Sequence, residues 1–381
     1  MNRLRTAVIG MGFVGPHHVD AVRRTGYADV EVIVGSDPDR TARRAAELGV
    51  GRWSTDVDAV LADRGIDVVH VCTPNTTHVA LASAALEAGK HLVLEKPIAM
   101  DRAGGDGLVE LATRSGRHAM VTLTYRGYPM VRKARAAVAD GEVGEIRLVH
   151  GGYIQDWLAD PKDYNWRVEP EVGGQSRAVA DIGTHWFDTA EFITGLRVKA
   201  VLADFATFIP IRMRSLGGGV AFSSGEGPAE SVTIQSEDAA TILVRFEGGG
   251  RGACVVSQVS AGRKNALTLE VDGSLRSLAW DQEDPERLWL RSRDDARLLV
   301  REPGGAQAAS GIPSLPAGHP EGWGEALRDL LRPFYAAVAA GASAPPNEAP
   351  YPTLDAGARG LAFVDAAIRS SASESWVFID R

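Results

Sequence analysis

The chain of 381 residues has two cysteines and no long apolar run. Two isolated thiols argue against a disulfide framework and against a thiolate metal site. No segment is apolar over the length that a membrane span needs, and the strand-like Thr6-Ala7-Val8-Ile9 follows the N-terminus without a signal-peptide segment. The net charge of −8 leaves no basic field for nucleic acid or anionic lipid. We therefore expect a cytoplasmic protein with no nucleic-acid or membrane partner.

The composition is otherwise that of an ordinary globular protein. Hydrophobic residues make up 45% of the chain and charged residues 24%, so there is enough apolar material for a sizeable core. The length suggests two or three domains. Strands alternate with helices up to residue 124, and strand-like runs dominate after it. We predict one domain over residues 1–124 and a second over 125–381.

A glycine motif stands at the start of the first domain. The sequence Gly-Met-Gly-Phe-Val-Gly at 10–15 follows a strand predicted over 5–9, and a helix is predicted from about His17 to Thr25. An acidic residue, Asp37, lies about 20 residues further on, after a second strand. Glycines at this spacing between a strand and a helix, followed by an acid, are typical of dinucleotide-binding βαβ units. The alternative is a glycine-rich turn without a ligand.

Each residue of this pattern has a physical role in holding a dinucleotide. Gly10 makes the tight turn, Gly12 lets the backbone approach the pyrophosphate, and Gly15 allows close helix packing. The Asp37 carboxylate would accept hydrogen bonds from the ribose and repel a 2′-phosphate, which favours NAD. Arg40 could accommodate that phosphate and leaves NADP open. The predicted cofactor-contacting residues of this region are Gly10, Gly12, Phe13, Val14, Asp37 and Arg40.

The stretch His91–Pro97 reads as a short buried strand that runs into Glu95, Lys96 and a proline. In open α/β sheets, ligands bind at the carboxyl ends of the strands, so a lysine there lies where cofactor and substrate meet. The loop Thr73–His78 follows another predicted strand in the same way. The alternative is that Glu95 and Lys96 form a solvated surface pair.

Strand-like runs follow one another in the second domain, with Gly and Asp clusters between them, which is typical of hairpins. We predict an α+β domain built on a large, mostly antiparallel open sheet. Residues 210–230 and 302–321 read as long loops, and helices are predicted over about 322–340 and 353–370. One face of such a sheet stays uncovered, which favours a homo-oligomer.

A second constellation is Asp181-Ile-Gly-Thr-His185, which we expect to open a helix that runs to about Thr194. In a helix, Asp181 and His185 would share a face. They could be metal ligands, a helix-start carboxylate with a packed imidazole, or a general base with its orienting partner. No second His/Asp cluster is obvious in the sequence, so no metal is predicted.

Together these motifs, in this order and spacing, resemble the Gfo/Idh/MocA family of oxidoreductases over essentially the whole chain. The resemblance implies an N-terminal Rossmann domain, a C-terminal domain with a large open sheet, and a homodimer or homotetramer. It implies NAD(P)-linked oxidation of a secondary hydroxyl on a sugar or cyclitol. Lys96, Asp181 and His185 match the family's catalytic residues. The residues that match its cofactor-contacting loops are Thr73, Pro74, Asn75, His78, Glu95 and Lys96.

A finer resemblance lies in Gly152–Trp157 together with Trp166 and Arg167. These residues are similar to members of the levoglucosan dehydrogenase type, which oxidise pyranose-type sugars or anhydrosugars. Plain packing is the alternative for Trp166. The predicted substrate-binding residues are Lys96, Tyr125, Arg126, Gln155, Trp157, Trp166, Arg167, Asp181 and His185.

The mechanism that follows is a hypothesis with two rivals. We expect His185 to act as general base, Lys96 to hydrogen-bond the reacting oxygen, and Asp181 to hold the substrate hydroxyl or its neighbours. The same scaffold with bound NAD could instead serve a redox-assisted glycosidase. It could also be a non-catalytic dinucleotide sensor, which would have no need for these three residues together.

Overall fold

The computed structural model describes residues 3–215, 228–302, 315–316, 318–343 and 349–380. The chain forms two compact units, Met1–Gly127 with Gly322–Arg359, and Tyr128–Glu321 with Gly360–Arg381. The boundary between residues 124 and 125 stays a prediction of where the functional domains divide. Within the described ranges, no helix is long and apolar enough to cross a membrane.

The helices and strands are numbered in chain order. The helices are α1 Val14–Thr25, α2 Pro38–Leu48, α3 Val57–Ala62, α4 His78–Glu87, α5 Arg102–Ser115, α6 Pro129–Ala139, α7 Pro170–Gly173, α8 Thr184–Thr194, α9 Trp323–Ala339 and α10 Leu354–Ser373. The strands are β1 Leu4–Ile9, β2 Ala28–Val34, β3 Arg52–Ser54, β4 Val68–Val71, β5 His91–Leu94, β6 Ala119–Val121, β7 Ile146–Ile154, β8 Val198–Ala206, β9 Ile211–Ser215, β10 Ala229–Thr233, β11 Ala239–Phe246, β12 Arg251–Ser257, β13 Ala266–Gly273, β14 Ser277–Asp281, β15 Arg287–Arg291, β16 Ala296–Val300 and β17 Val377–Phe378.

The first unit contains a six-stranded sheet in the order β3-β2-β1-β4-β5-β6, and all its neighbouring strands are parallel. This is the strand order of the Rossmann fold and confirms the predicted fold class. The short edge strand β3 was missed because two of its three residues are exposed and its sequence carries no apolar pattern. Because the strands are parallel, the loops that follow them share one edge of the sheet.

Helix α9 belongs to this unit although it comes some two hundred residues after β6. Its buried side chains Leu327, Leu331 and Phe334 pack in one apolar cluster with Val68 of β4 and Val93 of β5. The helix therefore covers part of the first sheet. The prediction of a helix over about 322–340 is confirmed.

The second unit is built on a nine-stranded sheet in the order β16-β15-β14-β13-β7-β12-β11-β8-β17. Neighbours β7 and β12 are parallel, and the other pairs are antiparallel. This confirms the mostly antiparallel sheet. Strands β9 and β10 form a separate two-stranded sheet, so the long loop predicted over 210–230 is wrong at both ends. Residues 216–227 of that loop, and 303–314 and 317 of the loop predicted over 302–321, lie outside the described residues.

A buried cluster of charges stabilises the second unit beneath the loop that precedes α8. Asp238 is fully buried and accepts hydrogen bonds from the guanidinium groups of Arg177 and Arg212, which are also buried. Its second oxygen accepts the backbone N–H groups of Phe208 and Ile209 at 2.6 and 2.7 Å. Burial alone would raise the pKa of Asp238, but these hydrogen bonds and the arginine charges lower it below its ordinary value. The carboxylate therefore stays ionised and paired.

We predict that Asp238→Asn lowers the free energy of unfolding by about 3–5 kcal/mol, because two buried guanidinium groups lose their counter-charge. Urea unfolding followed by tryptophan fluorescence measures the change. The matched control is Asp295→Asn, whose half-exposed carboxylate pairs with Arg297 at 3.4 Å. The control should cost less than about 1 kcal/mol. Equal effects of the two substitutions would contradict the prediction.

Candidate active site

The glycine motif connects β1 to α1 and leaves an open surface at its middle. Gly10 has a φ of +97°, and a Cβ there would lie 2.5 Å from the carbonyl oxygen of Cys72. A Cβ at Gly15 would lie 2.1 Å from the carbonyl oxygen of Gly10. A Cβ at Gly12 would meet nothing within 4 Å. The outer two glycines are therefore needed by the fold itself, and Gly12 keeps open the side from which a ligand can approach.

Helix α1 begins at Val14, inside this motif and three residues earlier than predicted. Its N-cap residue, Phe13, is largely exposed and makes no side-chain cap. Helix N-termini bind anions well through their backbone N–H groups and the helix dipole. The open loop and this helix start fit a pyrophosphate.

Asp37 and Arg40 follow β2 at the same edge of the sheet. Asp37 is the N-cap of α2, and its Oδ1 accepts the backbone N–H of Arg40 at 2.7 Å. This cap explains why α2 begins at Pro38. The guanidinium of Arg40 donates to Ser36 Oγ at 3.3 Å. Both residues are exposed, as a ribose-recognition site requires.

The loop after β4 contains the predicted contacts Thr73, Pro74, Asn75 and His78. Asn75–Thr77 form a 3₁₀ turn, and Thr73 Oγ1 lies 2.6 Å from Thr77 Oγ1. His78 is buried, with its ring nitrogens 2.6 Å from the Pro97 carbonyl and 2.8 Å from the Thr73 carbonyl. Burial lowers its pKa below the ordinary value. His78 thus holds the loops after β4 and β5 together.

Glu95 and Lys96 directly follow β5. Glu95 is buried, and its Oε1 accepts hydrogen bonds from Thr122 Oγ1 at 2.6 Å and from His18 Nε2 at 3.0 Å. Its Oε2 accepts the backbone N–H of Lys96 at 3.2 Å. Burial alone would raise the pKa of Glu95, but the bonds from His18 and Thr122 and the nearby Lys96 lower it to about 2. Glu95 is therefore an enclosed carboxylate, and the alternative of a solvated surface pair is wrong for it.

Tyr125 and Arg126 lie at this edge of the sheet as well. They belong to a 3₁₀ turn, Thr124–Gly127, that follows β6. Tyr125 is buried and Arg126 is half-buried. The carboxyl ends of β1, β2, β4, β5 and β6 thus bring the predicted residues of the first unit to one edge, although their roles stay predictions.

The second unit has a polar and aromatic cluster at the end of β7. Trp157 Nε1 donates to Gln155 Oε1 at 3.0 Å, and Gln155 Nε2 donates to Asn265 Oδ1 at 2.8 Å. The Tyr153 hydroxyl donates to the same Asn265 oxygen at 2.5 Å. The Tyr153 ring centroid lies 6.1 Å from that of His185. The structure therefore brings the predicted Gln155, Trp157 and His185 into one neighbourhood.

Asp181 lies in a π-helical turn, Val179–Gly183, directly before α8. The prediction that it opens the helix is wrong. Glu237 Oε1 accepts the backbone N–H groups of Arg177 and Val179 at 3.1 and 2.9 Å, so the helical segment is capped before Asp181 is reached. Single π-turns in helices occur frequently at functional sites.

The Asp181 carboxylate is held from both sides. Gln258 Nε2 donates to its Oδ2 at 2.9 Å, and Arg167 Nε lies 3.5 Å from its Oδ1. The Arg167 guanidinium stacks 4.5 Å over the Trp166 ring. The predicted Trp166, Arg167 and Asp181 thus form one group.

Sequence reasoning missed three polar residues of these groups, Tyr153, Gln258 and Asn265. Gln258 follows β12, whose parallel partner β7 leads to Gln155, so the two strands end together. The alternation within Gly152–Trp157 could have indicated Tyr153. Nothing in the sequence pairs Asn265 with Gln155, because their contact depends on the register of β7 and β13.

A different cluster offers metal-ligand atoms. His150, Glu270 and Asp272 lie on the neighbouring strands β7 and β13, with their ligand atoms within 4.8 Å of one another. His150 Nε2 is 3.3 Å from Asp272 Oδ2, and Arg291 Nη1 is 3.7 Å from Glu270 Oε1. Half-exposed carboxylates with such partners are common without an ion, so we assign no metal to them.

Two protein-family models match this chain. The family model described as an oxidoreductase family with an NAD-binding Rossmann fold matches residues 4–123, and the family model of the Gfo/Idh/MocA C-terminal domain matches residues 131–279. A levoglucosan dehydrogenase of Pseudarthrobacter phenanthrenivorans is 30% identical over 99% of this chain and 98% of its own. This chain belongs to the Gfo/Idh/MocA family.

Two further relatives place it within this family. An inositol 2-dehydrogenase of Rhizobium meliloti is 27% identical and is covered over 99% of both chains. A solved levoglucosan dehydrogenase in complex with NADH and levoglucosan is 28% identical, with a TM-score of 0.88 over the full length of both chains. The chain is an oxidoreductase whose first unit binds NAD, which confirms the predicted cofactor.

We predict that Gly12→Ala weakens NADH binding by about tenfold or more, because the new methyl group stands where the backbone must approach the pyrophosphate. Its melting temperature should stay that of the wild type, since the methyl group meets no protein atom. Gly10→Ala should instead lower the melting temperature. Fluorescence titration and thermal unfolding separate the two effects.

The matched control for Gly12→Ala is Gly51→Ala, whose added Cβ also meets nothing within 4 Å. This control should change neither NADH affinity nor melting temperature. Wild-type affinity in Gly12→Ala would remove Gly12 from the cofactor site.

Proposed function

We propose that the protein is an NAD-dependent dehydrogenase that oxidises a secondary hydroxyl of a sugar, anhydrosugar, glycoside or cyclitol. The observation that carries the proposal is the cluster at the end of β7. Trp157, Gln155, Asn265 and Tyr153 are joined by hydrogen bonds beside His185. A sugar presents an apolar ring face and a rim of hydroxyls, which aromatic and amide groups complement. The levoglucosan and inositol dehydrogenases among the relatives support the same substrate class.

Bound NAD supplies the hydride acceptor, and the side chains of this chain position and deprotonate the substrate. His185 takes the proton of the reacting hydroxyl on a ring nitrogen. Lys96 donates a hydrogen bond to the same oxygen and offsets the negative charge that develops there. Asp181, held by Gln258 and Arg167, accepts a hydrogen bond from the substrate. These roles agree with the resemblance of the three residues to the family's catalytic set.

We further propose a preference for NAD over NADP. The Asp37 carboxylate follows β2, where a ribose hydroxyl would be bound, and a 2′-phosphate there would face its negative charge. The Asp37 carboxylate is held at this position by the Arg40 backbone N–H at 2.7 Å, whereas the Arg40 guanidinium makes a longer bond of 3.3 Å to Ser36 Oγ. This supports Asp37 as the dominant residue of the pair.

The predicted homodimer or homotetramer is also a proposal. Several large apolar side chains stand at least 38% exposed on strands of the nine-stranded sheet, namely Leu148, Leu243, Val255, Trp289, Leu298 and Val300. Exposed apolar patches of this kind mark interaction surfaces. This supports association of copies through the open sheet face.

NADH formation is the test of the proposed activity. Purified protein is incubated with NAD⁺, or with NADP⁺ in parallel, and a panel of inositols, hexoses, anhydrosugars and glycosides. We expect NADH to form with at least one member of the panel, and more slowly or not at all with NADP⁺. Net hydrolysis of a glycoside without NADH would instead identify a glycosidase. Dinucleotide binding without turnover on the whole panel would overturn the dehydrogenase proposal.

A further prediction concerns the proposed general base, His185. His185→Ala should lower kcat by about 10²–10⁴-fold, because proton transfer to a positioned base contributes that much to the rate. NADH affinity should stay that of the wild type. The matched control is His150→Ala, which removes a half-buried histidine that pairs with Asp272 and has no proposed role in the reaction. Wild-type turnover in His185→Ala would exclude His185 as the base.

A further inference from the structure

A series of buried side chains, joined by hydrogen bonds and called the buried chain below, ends on Glu95, the residue before Lys96. None of its members has a role in the reaction proposed above. It consists of Thr6, Tyr335, His70, His18 and Glu95, all within the first unit and each at most 8% exposed. Each link is a normal hydrogen bond. The Tyr335 hydroxyl lies 2.9 Å from Thr6 Oγ1 and 2.7 Å from His70 Nε2. The two histidines meet at 2.8 Å through their Nδ1 atoms.

The charge state of Glu95 determines where the hydrogens stand. With a pKa of about 2, Glu95 is a carboxylate at neutral pH and can only accept, so His18 Nε2 must carry a hydrogen. Burial, and then His18, hold the pKa of His70 well below its ordinary value, so His70 is neutral and carries one hydrogen. When His70 Nδ1 donates to His18 Nδ1, the other ring nitrogen of His70, Nε2, accepts from the Tyr335 hydroxyl. In this arrangement, the Tyr335 hydroxyl fixes the tautomer of both imidazoles.

The hydrogen-bonded side chains join five parts of the first unit, with Thr6 on β1 and His70 on β4. His18 lies on α1, one turn after the glycine motif, and Glu95 directly follows β5. Tyr335 comes from α9, the helix that returns to this unit from the far end of the chain. Because Glu95 Oε2 accepts the Lys96 backbone N–H, the bonds on Oε1 decide how the backbone at Lys96 is held.

Stability alone does not require such an arrangement. Burying charged and polar side chains has a desolvation cost, and well-packed apolar residues of similar volume are often as stabilising or more so. Buried polar groups that are fully hydrogen-bonded do, however, fix a single local structure. The benefit therefore lies in orientation, and the group that is oriented is Lys96.

We propose that His18 is a positioning residue for Lys96 and acts through Glu95, with its own imidazole ring held in place by the bond to His70, which in turn bonds Tyr335. The proposal rests on the dehydrogenase function above. Loss of the His18 donor leaves Oε1 with one hydrogen bond fewer, so the carboxylate can rotate and the Lys96 ammonium is misplaced relative to the substrate. Among the described residues, Thr122 Oγ1 is then the remaining side-chain donor to that oxygen.

The test compares His18→Leu with His18→Gln in the full-length chain. A glutamine amide nitrogen can occupy the place of His Nε2 and donate to Glu95, whereas leucine cannot. We expect His18→Leu to lower kcat by about 10- to 100-fold, with KM and NADH affinity within about threefold of the wild type. His18→Gln should recover most of this loss. A merely structural role of His18 would change melting temperature without this division between kcat and KM.

Two further variants keep the test decisive. Tyr335→Phe removes the hydroxyl that bonds His70 and should lower kcat in the same way by about threefold or more, even if His18→Leu does not fold. Thr25→Val is the matched control, because it removes a buried hydroxyl from the same helix, α1. This hydroxyl donates to the Val22 carbonyl and makes no bond to Glu95. It should leave kcat unchanged.

A readout without substrate separates this proposal from the proposed function. The rate at which an amine-specific reagent labels Lys96 is measured by peptide mass spectrometry, with Lys133 and Lys199 as internal references. We expect His18→Leu to change the Lys96 rate by about threefold or more, and His18→Gln and Thr25→Val to leave it unchanged. If the wild type turns over no member of the panel, the proposed function is overturned. An altered Lys96 labelling rate in His18→Leu would still support the positioning role.

Other results would overturn the positioning role. They are an unchanged Lys96 labelling rate in His18→Leu, an equal loss of kcat in the leucine and glutamine variants, or a comparable loss in Thr25→Val. Each of them would show that the buried chain acts on stability and not on Lys96.

Discussion

The functional edge of the first unit depends on one enclosed carboxylate. Glu95 is buried at the end of β5, and a buried charge is tolerated when hydrogen-bond donors surround it. His18 from α1, Thr122 after β6 and the Lys96 backbone supply those donors. The same bonds that keep the charge paired also tie the helix after the glycine motif to the strand before Lys96. The cofactor loop and the lysine are therefore fixed relative to each other by an electrostatic requirement.

The second unit follows the same physical rule with other residues. Asp238 is surrounded by two guanidinium groups and two backbone N–H groups, and Asp181 lies between the Gln258 amide and the Arg167 guanidinium. The Asp238 carboxylate joins Arg177, in the loop before α8, to Arg212 and to the backbone at residues 208 and 209. The Asp181 carboxylate is half-buried, so it keeps the exposure that a substrate-binding group needs. Burial thus separates the carboxylate that stabilises from the one to which we assign a role in the reaction.

Helix α9 shows why chain order and spatial order differ here. Its apolar face covers the first sheet near β4 and β5, and Tyr335 on the same helix adds a hydroxyl to the buried chain that ends on Glu95. A helix that packs over a sheet must satisfy any polar group it buries, and Tyr335 does so with Thr6 and His70. Packing and polar satisfaction are met by a single element, which comes from the C-terminal part of the sequence.

The sequence by itself determined what depends on neighbours along the chain. The glycine spacing at 10–15, the alternation of strands and helices, and the acidic residue after β2 predicted the Rossmann fold, NAD and the edge at which Lys96 stands. These features are local, because turn geometry and hydrophobic period act over a few residues. Tertiary structure alone decided the partners of the charged groups. His70 and Tyr335 bond each other although they are 265 residues apart along the chain, and Gln258 reaches Asp181 from the end of a different strand, so no local pattern could have paired them. Burial in a medium of low dielectric makes such pairing obligatory, but strand register and helix packing choose the residues that meet.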